Sequence, residues 1–234
     1  MGSTRLPGKA LLDIGGMSML ARVVDRARRA RTIDRVIVAT TTKPQDDPLA
    51  AHARELSVDV YRGDEDDVLD RYYQAAAHHA LDIVVRITSD CPLLDPDLTD
   101  DVVRPLLGPG SGADYSANTL HRTYPRGLDV EAVPFVTLAR VWREATSFHE
   151  RAHVFPYIYE HPDRFSVVGT ADTVDRSHMR WTVDTADDLA FVRAVCRALG
   201  TLEFTWRDVL AVLEAQPELL RINALVSQKS AHDR

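Results

Sequence analysis

Ile83-Val-Val-Arg-Ile-Thr-Ser-Asp90-Cys-Pro-Leu-Leu-Asp95-Pro96 places a strand, an acid at its tip and the start of a helix in one short stretch. Residues 83–88 form a β-branched, largely apolar run, the pattern of a strand buried on both faces of a parallel sheet. The strand ends at Asp90. Asp95 followed by Pro96 then reads as an N-cap with proline at the first helical position. A strand that closes on an acid and turns into a helix is half of a β–α–β unit, whose ligands gather at the carboxyl ends of the strands.

The alternation continues in both directions. Toward the amino terminus, Leu20, Val23, Val24, Ala27 and Ala30 recur at helical spacing and predict an amphipathic helix over residues 18–31. Residues 35–40 read as a buried strand, 48–56 as a helix and 58–61 as a strand, and Val68, Leu69, Tyr72 and Ala76 stripe the next helix. Toward the carboxyl terminus the glycine-rich loop 108–112 precedes strands over 114–117 and 128–133. Helices follow from Pro134 and near Ser147, then strands over 165–169 and 179–183 and a helix over 186–199. The expectation is one Rossmann-like α/β domain over residues 1–226, its sheet mixed but mainly parallel and covered by helices on both faces. The polar tail, 227–234, is expected to fray.

At 234 residues the chain can bury a substantial core in one domain. Its net charge of −7 argues against a general nucleic-acid binder, which needs a basic face. No apolar run is long enough to span a bilayer, and no secretory leader opens the sequence. Two cysteines, Cys91 and Cys196, are too few for a disulfide framework or a zinc knuckle. A reducing cytoplasm fits these features.

Chemistry-bearing residues fall in four places. Met1-Gly-Ser-Thr-Arg5-Leu-Pro-Gly8-Lys9 puts two fixed cations, Arg5 and Lys9, on a small-residue turn that can wrap a polyphosphate. It is not a Walker A loop: five residues separate Gly2 from Gly8, and Ala10 follows Lys9 where Ser or Thr is required. Asp90 and Asp184 each end an expected strand, where two carboxylates can share a divalent cation with nucleotide phosphates. Strand-end acids can equally cap the following helices, as Asp184, Asp187 and Asp188 could. In Tyr124-Pro-Arg126-Gly-Leu-Asp129-Val-Glu131 the acids Asp129 and Glu131 share one strand face, opposite Leu128, Val130 and Ala132. That polar face can bind an acceptor, with Arg126 for its anion, or can be an exposed edge. Lastly, His149-Glu150-Arg-Ala-His153 fits the H-E-x-x-H pattern of zinc proteases, but Pro156 follows at once and no third ligand stands out.

The amino-terminal loop resembles the signature loop of cytidylyltransferases that activate acidic sugars, in particular the SpsF-like spore-coat polysaccharide branch. That branch is related to the synthetases of CMP-sialic acid and CMP-ketodeoxyoctulosonate. Three further segments match in order: Arg62-Gly-Asp-Glu-Asp-Asp-Val-Leu-Asp-Arg71-Tyr72, Arg86-Ile-Thr-Ser89-Asp90-Cys-Pro-Leu-Leu-Asp-Pro96 and Arg180-Trp-Thr-Val-Asp184-Thr-Ala-Asp-Asp-Leu189. The resemblance implies transfer of CMP from CTP to an acidic sugar or similar acceptor, with Mg2+ held by Asp90 and Asp184. It implies catalytic roles for Arg5, Lys9 and Asp90. Nucleotide contacts would come from Gly2, Ser3, Thr4, Arg5, Gly8, Lys9, Arg62, Arg71 and Ser89, and acceptor contacts from Tyr124, Arg126, Asp129 and Glu131. A homodimer joined through residues 127–165 is also implied. Relatives carry an apolar strand ending in Gln-Ala-Arg directly before the Met-Gly of the loop, so the sheet's first strand and its arginine are expected upstream of residue 1. Their absence leaves open a catalytically silent nucleotide-binding or scaffold member of the same fold.

Overall fold

The computed structural model describes residues 3–108 and 110–228. Gly2 and most of the polar tail therefore lie outside the described residues. Chain order is α1 (Met19–Arg28), β1 (Ile37–Thr41), α2 (Asp47–Glu55), β2 (Asp59–Gly63), α3 (Val68–His78), β3 (Ile83–Arg86) and α4 (Pro96–Val103). There follow β4 (Tyr115–Ala117), β5 (Glu131–Pro134), α5 (Phe135–Glu144), α6 (Phe148–His153), α7 (Pro156–Tyr159), β6 (Val167–Gly169), α8 (Ala186–Leu199) and α9 (Trp206–Ala215). Helix starts are set by the side chains that the sequence offers. Ser18 accepts from the Ala21 amide at 3.0 Å at the head of α1, and Asp95 accepts from Leu98 at 2.8 Å ahead of Pro96 in α4.

The α/β class with a mixed sheet is as expected. β1 and β2 form a parallel pair; a second sheet has the order β3-β5-β4-β6, with β5 antiparallel to both neighbours and β4 parallel to β6. The cause is the connection before β5. Residues 118–130 hold no helix, and a parallel return needs a crossover element, so the chain comes back antiparallel. The expected strand over 179–183 is corrected. Among the described residues that segment makes a single bridge, Arg126 to Arg180, and its Val183 amide goes to the Asp90 carbonyl at 2.9 Å instead of to a ladder.

Between the two sheets lies a cleft of about 890 Å³, walled by Val24, Val38, Ala76, Val84, Val85 and Ile87 among others. β1 pairs only with β2 and β3 only with β5, so each brings one unpaired edge to this cleft among the described residues. Arg71 Nε and Arg86 Nε, on residues that line it, are buried without a hydrogen-bond partner. Trp181, Val183, Phe191 and Val195 pack with Trp206 and Val209 of α9, a helix the sequence reading did not foresee.

Candidate active site

Lys9 brings three distant segments to one point. Its ammonium donates to Asp90 Oδ2, to Asp184 Oδ1 and to the Val183 carbonyl, each at 2.8 Å. The placement starts in the loop. Gly8 is left-handed at φ 70° and ψ 13°, a conformation that costs a side-chain-bearing residue but not glycine. Lys9 then opens a single 3-10 turn, Lys9–Leu11, anchored by buried Ala10. The two acid-bearing segments are stitched together beneath it: the Val183 amide donates to the Asp90 carbonyl at 2.9 Å, and Thr182 Oγ1 to the same oxygen at 3.2 Å.

Neither acid is spent on capping. Asp95 caps α4, and Thr185 caps α8 in a reciprocal box with Asp188. Buried Asp188 in turn holds Arg180, with Nε to Oδ1 at 2.9 Å and Nη2 to Oδ2 at 3.0 Å. Arg180 Nη2 also reaches Asp184 Oδ2 at 2.7 Å, and Arg5 approaches the same oxygen at 3.0 Å. Thr88 Oγ1 donates to Asp90 Oδ1 at 2.6 Å. The cluster is therefore an alternation of charges rather than a bare acidic pair.

Protonation follows from this arrangement. Burial alone pulls the Lys9 ammonium toward neutrality, but the Asp90 and Asp184 carboxylates outweigh it and leave the group above its ordinary value. Burial pushes the Asp184 carboxyl upward; Lys9, Arg180 and Arg5 reverse this and hold it below the usual carboxylate value. Lys9 and Asp184 are therefore both charged at neutral pH. Asp90 Oδ2, Asp184 Oδ1 and the Val183 carbonyl converge on one cation, a set of hard oxygen donors that fits a small divalent ion better than a soft one. Among the described residues no cluster of three or more His, Cys, Asp or Glu could hold a metal, so any ion here would take its remaining ligands from a substrate or water.

The other candidate residues divide. Arg5 and Lys9 are in the cluster, while Ser3 serves the loop itself, accepting from the Leu6 amide at 3.3 Å. Thr4 is exposed, and Ser89 lines the end of the cleft. Arg62 ties β2 to the 41–47 segment through the Thr41 and Lys43 carbonyls, at 2.7 and 2.9 Å, and through Asp47. Arg71 donates to the Asp64 carbonyl at 2.7 Å. Arg126 stands apart, half-buried and close enough to Arg122 and Arg180 for both cations to depress its pKa, after burial itself. Its backbone bridges Met179 and Trp181, yet its guanidinium makes no hydrogen bond or ion pair among the described residues. Asp129 is gripped by Arg122 at 2.5 and 2.8 Å.

Two acceptor candidates sit elsewhere. Glu131 is buried, paired with Arg86 across β3 and β5 and accepting from Tyr115 Oη at 2.6 Å. Tyr124 is packed edge-on against Trp206 in the core. Alternation along residues 128–133 identified the polar face correctly but not that Arg86 would neutralise it from the next strand.

Sequence reasoning passed over Arg180, Thr88 and Arg122, and named Asp188 only as a possible helix cap, which it is. Arg180 and Asp188 lay inside a quoted motif, and the spacing of Thr185 to Asp188 is itself a capping-box signal. The histidine motif resolves against zinc chemistry. Glu150 accepts from the Ser147 and Thr146 amides at 2.8 and 3.1 Å, completing a capping box with Ser147. The helix ends at His153, and Val154 follows at φ 79°.

Comparison with known proteins was made on this footing. Residues 1–200 match the model of the family described as Cytidylyltransferase. An uncharacterized protein of Methanocaldococcus jannaschii is 34% identical over 231 residues, covering 98% of this chain and 93% of that one. Spore coat polysaccharide biosynthesis protein SpsF of Bacillus subtilis is 30% identical over 226 residues, covering 93% and 92%. A cytidylyltransferase structure from Leptospira borgpetersenii superposes with a TM-score of 0.90 at 31% identity, covering 99% of this chain and 95% of that one.

Proposed function

The chain belongs to the cytidylyltransferase family, and from that premise we propose that it transfers CMP from CTP to an acidic sugar or similar acceptor, releasing pyrophosphate. The observation that carries this reading is the meeting of Lys9, Asp90 and Asp184 within 2.8 Å contacts. An acceptor oxygen attacks the α-phosphorus of CTP in line, the new P–O bond forms, and the bond to the bridging oxygen of pyrophosphate breaks. Negative charge grows on the α-phosphoryl oxygens and on the leaving group, so positioned cations supply most of the catalysis. Arg5 and Lys9 are the chain's own cations for this. Ser3, Thr4 and Gly8 shape the loop that presents them.

Asp90 and Asp184 would hold a magnesium ion, which when bound supplies further positive charge to the triphosphate. Arg62, Arg71 and Ser89 border the nucleotide side; the first two fix the loops there rather than reaching outward. On the acceptor side, Arg126 offers an unpaired guanidinium to a carboxylate or phosphate, and Asp129, oriented by Arg122, faces its hydroxyls. Arg180 and Asp188 position Asp184.

Pyrophosphate release measured with CTP, UTP, ATP and GTP, each against sugar acids, polyol phosphates and phosphonates, tests the proposal. CTP-dependent release that requires an anionic acceptor is expected, and it falls with Arg126→Ala mainly through a raised acceptor KM. Acceptor-independent or nucleotide-indifferent behaviour overturns it, and binding of CTP without release favours the silent-member reading. Running a version with an apolar strand ahead of residue 1 alongside shows whether the cleft limits activity.

Assembly as a homodimer through residues 127–165 belongs to the same proposal. It is supported by Val136, Phe148 and Tyr159, which expose 72%, 67% and 42% of their surfaces in that stretch. Sedimentation of the wild type against Val136→Glu/Phe148→Glu checks it. No helix of the described residues is long and apolar enough to cross a membrane.

A further inference from the structure

The carboxylates assigned to the metal are fully engaged by the protein's own groups. Asp90 uses Oδ2 for Lys9 and Oδ1 for Thr88; Asp184 uses Oδ1 for Lys9 and Oδ2 for Arg180 and Arg5. Three acids, Asp90, Asp184 and Asp188, face three cations, Lys9, Arg5 and Arg180, so the cluster has no net charge with which to attract a free cation. Among the described residues only Lys9 spans both assigned acids. It sits on a flexible four-carbon stem, immediately after the left-handed Gly8, whereas Arg180 is locked from behind by buried Asp188.

We propose that Lys9 is an exchangeable resident cation. It holds the position between Asp90 and Asp184 until a triphosphate arrives, so that the divalent ion enters with the nucleotide and not before it. The exchange balances in charge. A metal–triphosphate carries net negative charge, which draws Arg5 and Lys9 onto phosphate oxygens. Their departure exposes the two carboxylates to the metal that the nucleotide brings. Lys9 thereby does two things at different stages: it blocks unproductive loading of the empty enzyme, and it clamps phosphate in the loaded one. Unlike a preformed metal site, this one is assembled by its substrate. The inference rests on the metal reading proposed above.

Mn2+ binding to the full chain, followed by electron paramagnetic resonance without nucleotide, tests it. Removing a unit positive charge in direct contact with both ligands is expected to tighten Mn2+ binding by about tenfold or more in Lys9→Met. The gain should vanish in K9M/D184N, and Lys9→Arg, which keeps the charge, should bind as weakly as the wild type. Lys9→Gln gives the same readout should K9M fail to fold. Wild-type protein that binds Mn2+ alone as tightly as K9M or K9Q, at a site removed by Asp184→Asn, overturns the exchange. A parallel arm with the α,β-methylene analogue of CTP keeps the two ideas apart. Asp184-dependent Mn2+ binding seen in that arm leaves the metal reading standing even if the exchange fails. Its absence in every arm sinks both.

Discussion

Two regions of this molecule are finished to different standards. In one, the inner strands of the second sheet, β4 and most of β5, are buried, and Trp181 and Val183 are fully so. Gly127 there lies so close to its neighbour that a Cβ would come within 2.6 Å of the Thr182 amide nitrogen. In the other, Ile37, Val38 and Ala39 of β1 are only half-buried and, with the edge strand β3 of the second sheet, give onto the 890 Å³ cleft. The tight region carries Asp184 and its supports; the loose one borders the expected nucleotide side. Packing precision is thus concentrated where two like charges must be held together, and the difference between the regions becomes a difference in what a substitution costs.

The largest expected contrast pairs Trp181→Ala with Val38→Ala. Emptying the fully buried Trp181 site should cost about 3–5 kcal/mol. Val38 already faces open space, so its truncation should cost under about 1 kcal/mol, because little new cavity is made. Urea unfolding of both variants decides it, and comparable losses would dissolve the distinction. Trp181→Phe sharpens it, since the indole nitrogen is buried without a partner and its removal forfeits no hydrogen bond.

Next comes Lys9→Ala, which should slow turnover by about 10²–10³, equivalent to roughly 2.7–4 kcal/mol in the transition state. Unchanged pyrophosphate release would remove Lys9 from the chemistry. Gly127→Ala follows, at about 1–3 kcal/mol, because φ of +106° disfavours a side chain and backbone atoms of Trp181 and Thr182 block it. That strain should also displace the strap bearing Asp184, so kcat should fall together with the melting temperature. A variant as stable and active as the wild type would show that the close approach does not matter.

How much of this was legible in the sequence depends on what kind of force sets each feature. Local signals read well: the apolar stripe of α1 and the Asp95-Pro96 start of α4, whereas the meeting of Lys9 with the distant Asp90 and Asp184 was expected only from the resemblance. The first two rest on periodicity and capping. What failed was set by partners far along the chain. The segment 179–183 makes a single bridge among the described residues and gives its Val183 amide to Asp90, 93 positions away, instead of to a ladder. Glu131 has the alternation of a surface acid, but register with Arg86 buries it. Helix α9 was missed although Thr205 and Asp208 form a capping box, a signal present in the sequence and left unused.

The smallest expected effect separates the two regions by acid. Asp184 is 18% exposed and its pKa is held below the ordinary 3.8 by Lys9 and the two arginines. A depressed carboxylate stabilises the fold above its unfolded value and loses that contribution as pH falls through its lowered folded value. Wild-type stability should therefore decline below about pH 4, and Asp184→Asn, already weaker at neutral pH, should show a shallower decline. Asp47 in the loose region pairs with Arg62 at 2.7 Å, but its side chain is 61% exposed. Solvent screens such a pair, so Asp47→Asn should alter stability by no more than about 0.5 kcal/mol at neutral pH, less than Asp184→Asn does. Unfolding free energies of both variants at neutral pH, and of the wild type and Asp184→Asn down to pH 2, check this. Equal losses from the two substitutions at neutral pH would mean that the charges at the site are no better held than those on the open side of the molecule.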